Sequence, residues 1–281
     1  MHRFSSLLAV LVVAGFAAAC PSQQASYSSA SNQQAPQAPA LDNVELVDLS
    51  YAYDENTLYW PTSPSAFELE QLAHGRTEAG FFYSANAFST PEHGGTHLDA
   101  PIHFAAGRQT TDQIPLERLL GPAVVIDVTA QAAADPDYEL TVKDVANWER
   151  KHGKIPEGAI VLLRTGWGRF WPDRKTYFGD DTPDDASNLH FPAYGREVAH
   201  LLVDERKVAV LGVDTASIDP GPSTDFWVHR IANQSNVPGL ENVANLDQLP
   251  PTGAWVIALP MKIAGGSGGP ARIVALLLKN H

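Results

Sequence analysis

Six short apolar runs lie between residue 44 and the C-terminus, and they constrain the fold more than any other feature of the sequence. Several of them are apolar at every position rather than at alternate positions, which predicts β-strands that are covered on both faces. Strands of this kind belong to sheets that helices cover. The runs span residues 44–49, 123–128, 159–163, 208–213, 255–259 and 273–278.

Two helical patterns lie between these runs. Residues 141–151 form the first pattern, with Val145 and Trp148 on one face. Residues 192–205 form the second, with an apolar stripe along one side and Pro192 near the first turn. Because strands and helices alternate along the chain, we predict an α/β fold in a single domain.

The first twenty residues are typical of an export signal. A positively charged start, an apolar run at residues 7–16 and three alanines precede Cys20. The pattern resembles a bacterial lipoprotein signal, in which the cysteine becomes the lipidated first residue, although ordinary signal cleavage stays open. Residues 21–41 are rich in Ser, Gln, Ala and Pro, which predicts a disordered tether. We therefore expect an exported protein of the bacterial cell envelope, lipid-anchored at Cys20, with a folded domain at residues 42–281.

Charge and cysteine content exclude several classes of function. The chain has 281 residues, with 32 acidic and 19 basic side chains and a net charge of −13. A protein of that sign repels nucleic-acid phosphates and anionic lipids, so we expect no nucleic-acid partner and no membrane contact apart from the anchor. Cys20 is the only cysteine, which excludes an intramolecular disulfide and thiol catalysis in the folded domain.

The strongest chemical signal is a cluster of three histidines and an aspartate within eleven residues. His93 and His97 have the spacing of a helical metal pair, but the two glycines between them each cost about 1 kcal/mol in a helix. In an extended segment His97, Asp99 and His103 would share one face, and the glycines would allow a turn that brings His93 to the same ion. Imidazole nitrogen together with carboxylate oxygen favours zinc, manganese or iron over calcium. The alternative, surface histidines in a polar loop, suits one histidine better than three.

Two other patterns do not indicate a function. Residues 265–269 are Gly-Gly-Ser-Gly-Gly, but they lack the lysine and the strand–loop–helix order of a phosphate-binding loop. We predict a mobile loop before the last strand and no nucleotide binding. No serine lies in a Gly-x-Ser-x-Gly elbow, so the sequence gives no support to a serine hydrolase.

The segment from His93 to His103 resembles the hallmark of the cyclase or bacterial kynurenine formamidase-like metal hydrolases. That hallmark is His-x-Gly-Thr-His-x-Asp-x-Pro-x-His, and every fixed position is present here. Residues 47–50, 213–219 and 260–272 are similar to other stretches of the family. The resemblance implies a single domain with a mixed central β-sheet or barrel-like core flanked by helices, and a homodimer or larger homo-oligomer.

The resemblance also implies a set of metal ligands. His93, His97 and Asp99 would hold one divalent transition metal, and Asp99 could bridge to a second ion. His229 and Glu241, twelve residues apart in the chain, would complete the set. The number of ions, one or two, stays open, and we expect zinc first and manganese second.

Two further residues acquire roles from the same resemblance. His103 would be the proton donor and acceptor, and an imidazole that titrates near neutrality suits that task. Its alternative role is a third metal ligand. Trp60 would contact the substrate by stacking on a planar group. Its alternative role is a core aromatic residue beside Pro61.

Together these roles predict an enzyme that hydrolyses an amide-type C–N bond in a small molecule. The metal would lower the pKa of bound water to about 7, and His103 would move the proton from that water to the leaving nitrogen. The resemblance implies an arylformamidase that converts N-formylkynurenine to kynurenine and formate in tryptophan catabolism. A hydrolase of a cyclic amide or lactone such as isatin is the alternative within this class. An envelope lipoprotein that binds a metal or ligand without catalysis is the alternative outside it.

Overall fold

All six apolar runs contribute strands to one sheet in the computed structural model, which describes residues 43–279. The predicted export signal, Cys20 and the tether lie outside the described residues. Within residues 43–279, no helix is both long enough and apolar enough to cross a membrane.

The described chain contains twelve strands and five α-helices. The strands are β1 (Val44–Asp48), β2 (Glu68–Arg76), β3 (Phe82–Ser89), β4 (His97–Asp99), β5 (Leu120–Asp127), β6 (Glu139–Leu140), β7 (Ile160–Arg164), β8 (Ala193–Tyr194), β9 (Val210–Val213), β10 (Gly239–Glu241), β11 (Ala254–Pro260) and β12 (Gly268–Leu278). The helices are α1 (Thr129–Ala134), α2 (Val142–His152), α3 (Arg174–Phe178), α4 (Arg196–His200), which a π-helical turn (Leu201–Glu205) continues, and α5 (Trp227–Gln234).

Seven strands close into a barrel-like ring in the order β12, β11, β5, β7, β9, β10, β4 and back to β12. Neighbours from β5 to β10 run parallel, and the remaining neighbours in the ring run antiparallel. β1 adds an eighth strand by pairing with residues 274–278 of β12, beyond the three residues that pair with β4. This mixed, barrel-like sheet with flanking helices confirms the predicted fold class.

The parallel strands face a different core on each side. Val125 and Leu162 point into the ring, whereas Val124 and Val161 pack against the helices outside it, and all four are buried. A buried aliphatic side chain of this kind contributes about 1.5–3 kcal/mol relative to an exposed one. Because both faces are covered, the runs are apolar at every position.

Helix α2 forms where the sequence predicted it. Thr141 is its N-cap and accepts a hydrogen bond from the backbone N–H of Asp144, whose side chain in turn accepts from the backbone N–H of Thr141. This capping box satisfies two backbone donors that would otherwise lack partners. Val145 and Trp148 are the buried residues of the helix, and Gly153 ends it with φ +91°.

Three local predictions were wrong. The helix predicted over residues 192–205 begins only at Arg196, because β8 pairs with β6 and places Pro192 before a strand. The loop predicted over residues 265–269 is too long, since Gly268 and Gly269 are the first residues of β12 and pair with β4. The extended segment ends at Asp99, because residues 101–103 form a 3-10 turn.

The hairpin of β2 and β3 was not predicted. It pairs with itself alone, and most of its side chains are exposed on both faces. Several of the exposed side chains are large and apolar, namely Leu69, Leu72, Phe82, Tyr83 and Phe88. A strand that is exposed on both faces has no hydrophobic alternation by which its sequence could reveal it.

Candidate metal centre

Strand β4 places two of the predicted ligands on one face. His97 pairs in register with Glu241 of β10. The imidazole of His97 and the carboxylates of Asp99 and Glu241 therefore lie near one another. Leu98 points the other way and is fully buried in the core of the ring. The period-two geometry of a strand therefore separates ligand and core residues, as predicted for this part of the segment.

The turn before β4 depends on its glycines. A Cβ on Gly94 would lie 2.1 Å from Cδ1 of Tyr59, and a Cβ on Gly95 would lie 2.7 Å from Cζ of Tyr53. Gly95 also has φ +55°, a conformation that is costly for other residues. The turn brings the rings of His93 and His97 to a centroid distance of 5.5 Å.

His97 has one ring nitrogen held and the other free. Its Nδ1–H donates to the carbonyl oxygen of Gly95 at 3.0 Å. Its Nε2 is buried and has no hydrogen-bond partner, although it lies 3.2 Å from Oδ1 of Asp99 and 3.5 Å from Oε2 of Glu241. Burial opposes protonation of His97, but the two carboxylates outweigh it and raise its pKa to about 9.

His229 repeats this arrangement from helix α5. Both backbone N–H groups of Val228 and His229 donate to Asp219, and the Nδ1–H of His229 donates to the same carboxylate at 2.7 Å. Its Nε2 then faces Oδ2 of Asp99 at 2.9 Å and Oε1 of Glu241 at 3.2 Å. These carboxylates raise the pKa of His229 well above its ordinary value despite burial.

Asp99 is the centre of the cluster. Burial would raise its pKa, but His93, His97 and His103 around it hold the pKa well below its usual range. For Glu241 the balance is reversed, because burial and the charge of Asp99 raise its pKa. The negative charge of two buried carboxylates must be balanced by a cation. At this cluster that cation is either a proton on an imidazole or a metal ion.

The residues present fit a metal ion. Two groups of side chains each bring three ligand atoms within 4.8 Å of one another: His93 with Asp99 and His103, and His97 with Asp99 and Glu241. Asp99 belongs to both groups. The unpartnered Nε2 of His97 is the atom that most needs a cation. A mixed nitrogen and oxygen donor set is typical of transition-metal sites.

His103 lies at the edge of the cluster. It ends the 3-10 turn of residues 101–103, and its ring stacks on His93 with 3.9 Å between centroids. Burial is the main cause that lowers the pKa of His103 to about 4; Asp99 opposes this shift, and the neighbouring His93 and His229 add to it. His103 is therefore neutral near pH 7. Its position is compatible with both of its alternative roles, proton transfer and metal ligation.

A cavity of about 270 Å³ opens onto these side chains. Trp60 lies in its wall and makes edge contacts with Phe178 and Phe226, with ring centroids 6.5 and 6.3 Å apart. Phe104 and Leu58 extend the same apolar wall. No lysine or arginine is among the lining residues in the described part of the chain.

The structure thus brings every predicted site residue of the folded domain to one cavity. They are Trp60, His93, His97, Asp99, His103, His229 and Glu241. Their individual roles stay predictions. Sequence reasoning missed the groups that hold the histidines, above all Asp219, because its hydrogen bond with His229 joins a loop to a helix and leaves no local pattern. It also missed Asn242, whose side chain donates to the carbonyl oxygen of Gly95 at 2.7 Å.

Comparison with known proteins adds three relatives and one family. The Cyclase family model matches residues 47–220. The chain is 32% identical to an isatin hydrolase of Roseibium aggregatum over 84% of this chain and 93% of the relative. It is 31% identical to a kynurenine formamidase of Salinibacter ruber, over 82% of this chain and 96% of the relative. The structure of isatin hydrolase A from Ralstonia solanacearum superposes with a TM-score of 0.77 at 36% identity, over 85% of this chain and 94% of that one.

Proposed function

The chain belongs to the Cyclase family of metal-dependent hydrolases, and from that premise we propose that it hydrolyses the amide C–N bond of a neutral aryl amide. The observation that carries the proposal is the shared arrangement of three histidines. In each of His93, His97 and His229 one ring nitrogen is held by a protein group, and the other nitrogen faces Asp99. An apolar cavity opens directly onto that cluster.

The ligand set comes from these histidines with Asp99 and Glu241. Asp99 is shared by both candidate groups of ligand atoms, which supports a site for two ions as well as for one. The donor chemistry supports zinc first and manganese second. A transition metal bound there would acidify water and polarise the carbonyl oxygen of the substrate.

His103 would move the proton. It lines the cavity beside the ligands and is neutral near pH 7, so its ring can accept a proton from the attacking water. It would then donate that proton to the leaving nitrogen, which otherwise departs as a poor leaving group. The stacking of His103 on His93 fixes the plane of its ring.

The cavity wall supports a planar and uncharged substrate. Trp60, Phe104, Phe178 and Phe226 offer aromatic faces and edges to a ring, and they place apolar surface beside the cluster. Among the residues that the structure describes, the lining contains no lysine or arginine that could pair with a carboxylate of the substrate. This favours a cyclic aryl amide of the isatin type as first candidate. N-formylkynurenine, which carries an amino-acid group, is the second candidate because of the kynurenine formamidase relative.

A substrate panel tests the proposal. The purified, zinc-loaded protein would be assayed with isatin, N-formylkynurenine and a set of lactones. We expect ring opening of isatin at the highest kcat/KM. Faster turnover of N-formylkynurenine would identify an arylformamidase. Absence of turnover across the panel in a metal-loaded sample would favour the binding protein over the enzyme.

We also propose that the protein is exported and anchored to the cell envelope through a lipid on Cys20. The support is the sequence pattern of residues 1–20 and the tether composition of residues 21–41. The expected result is that the protein in intact cells incorporates labelled palmitate and fractionates with membranes. Soluble Cys20→Ala protein would agree, whereas membrane association of that variant would contradict the anchor.

We further propose that the protein forms a homo-oligomer. The support is the exposed β2–β3 hairpin, whose large apolar side chains are more than half exposed at Leu69, Leu72, Phe82 and Phe88. Several large apolar side chains exposed on one hairpin are typical of an interaction site. Sedimentation of the purified protein should give a dimer or larger, and a monomer at all concentrations would contradict the proposal.

A further inference from the structure

The glycine-rich segment 265–269 contacts the side of His93 that faces away from Asp99. Ser267 is the contact residue, and its Oγ lies 2.9 Å from Nε2 of His93. The same hydroxyl donates to Oε2 of Glu92 at 2.6 Å, and the backbone N–H of Ser267 donates to that oxygen at 2.9 Å. A continuous chain of hydrogen bonds therefore runs from Glu92 through Ser267 to His93.

The single hydrogen of the Ser267 hydroxyl determines which groups donate and which accept in this series of hydrogen bonds. A serine hydroxyl has one hydrogen, and here it goes to the Glu92 carboxylate. Ser267 Oγ can therefore only accept from His93, which places the ring hydrogen of His93 on Nε2. In the neutral ring, Nδ1 then carries a lone pair, and it faces Oδ1 of Asp99 at 2.6 Å. Two acceptors at that distance need a cation to hold them together.

We propose that Glu92 and Ser267 are positioning residues of the metal centre, which fix His93 in its Nε2–H form and turn Nδ1 toward the ion. The inference rests on the metal site of the proposed function. Neither residue would touch the metal or the substrate. Their effect would be to orient one ligand and to raise its basicity, as outer partners of metal-bound histidines do.

The glycines on both sides of Ser267 fit this role. A Cβ on Gly268 would lie 2.5 Å from Cε1 of His93, and a Cβ on Gly266 would lie 2.8 Å from Oε1 of Glu92. Side chains at either position would push the serine away from its two partners. The composition of the segment, which suggested no function in the sequence, follows from this close approach.

The segment is also fixed to the rest of the site. The carbonyl oxygen of Ser267 accepts from the backbone N–H of Ala100 at 2.8 Å, and that of Gly266 accepts from the backbone N–H of Thr111 at 2.9 Å. Gly268 then pairs with Asp99 as β12 begins. The serine is thereby held in register with the ligand strand, which is what a positioning residue requires.

The experiment compares Ser267→Ala with the native protein and with Ser65→Ala, an exposed serine, as a matched control. The zinc dissociation constant would be measured by chelator competition. We expect Ser267→Ala to bind zinc about 10–100-fold more weakly, and Ser65→Ala to bind as the native protein does. Long-range ¹H–¹⁵N spectra of the zinc-loaded proteins would show, without any activity assay, which ring nitrogen of His93 carries the hydrogen. The native protein should show the Nε2–H form, and Ser267→Ala should lose that preference.

A second variant keeps the test independent of folding. Glu92→Gln retains an acceptor for the serine but removes the charge, so we expect a smaller loss of zinc affinity in the same direction. Equal melting temperatures would show that the variants fold. Native zinc affinity together with an unchanged His93 tautomer in both variants would overturn the inference. Failure of the native protein to bind zinc would instead overturn the metal site of the proposed function.

Discussion

His103→Ala separates catalysis from metal binding more directly than any other substitution. The ring lies at the edge of the cluster, stacked on His93 and lining the cavity. If His103 transfers protons, its removal leaves the ligands His93, His97, Asp99, His229 and Glu241 in place. The variant should then bind zinc as the native protein does and lose turnover.

The size of the loss follows from the state of the ring. A pKa of about 4 means that roughly one imidazole in a thousand is protonated at pH 7, so nearly every molecule holds the base in its active form. A nearby metal cation would lower the pKa further. Removing a general acid–base group costs about 10²–10⁴-fold in rate, or about 3–5 kcal/mol in activation free energy. We expect kcat to fall by that factor.

The assay measures zinc content and the initial rate of amide hydrolysis for the same samples. His200→Ala serves as the control, since that exposed histidine pairs with Asp204 on its own helical segment. Rates within about threefold of native in zinc-loaded His103→Ala would refute the proton-transfer role. Loss of zinc from the variant would instead assign His103 as a ligand.

Three further predictions follow from particular contacts. Asp219→Asn should weaken zinc binding about 10–100-fold in chelator competition, because it removes the carboxylate that holds Nδ1 of His229. Trp60→Ala should raise KM for aryl amides more than it lowers kcat, since Trp60 lies in the cavity wall. Thr141→Ala should lower the free energy of unfolding by about 1 kcal/mol at pH 7 in urea titrations, through the lost cap of α2. The size of this effect should depend on pH. Burial raises the pKa of Asp144, but hydrogen bonds from Thr141 outweigh burial and lower that pKa. The stabilisation is therefore present above pH about 4 and is lost as the pH falls through the lower pKa of the folded state, so the effect of the substitution should shrink toward pH 3.

The apolar runs predicted six of the strands, because burial on both faces leaves an unbroken apolar run, whereas the mixed or barrel-like sheet was implied only by the family resemblance. It did not predict β2 and β3, since strands that are exposed on both faces carry no such pattern. It placed the start of α4 too early, because the pairing of β8 with β6 is a tertiary contact that overrides a local helical stripe. Short strands such as β10 are defined only by their partners.

The site shows the same division between local and distant information. His93, His97 and Asp99 lie in one segment whose spacing indicates ligands. His229 and Glu241 were found only through the family resemblance, since each alone is an ordinary helix or strand residue. Ser267 lies 174 positions from His93 in the chain, and hydrogen bonds across such separations leave no trace in a single sequence. The orientation of each imidazole therefore had to come from the structure.

The most direct test of the central claim is the isatin hydrolysis rate of the native protein as its metal is stripped by a chelator and restored with zinc. The ligand arrangement around Asp99 predicts that activity falls with zinc content and returns with one or two equivalents of zinc. Full activity in a sample shown to contain no metal would contradict the assignment of this cluster as a metal-dependent hydrolytic site.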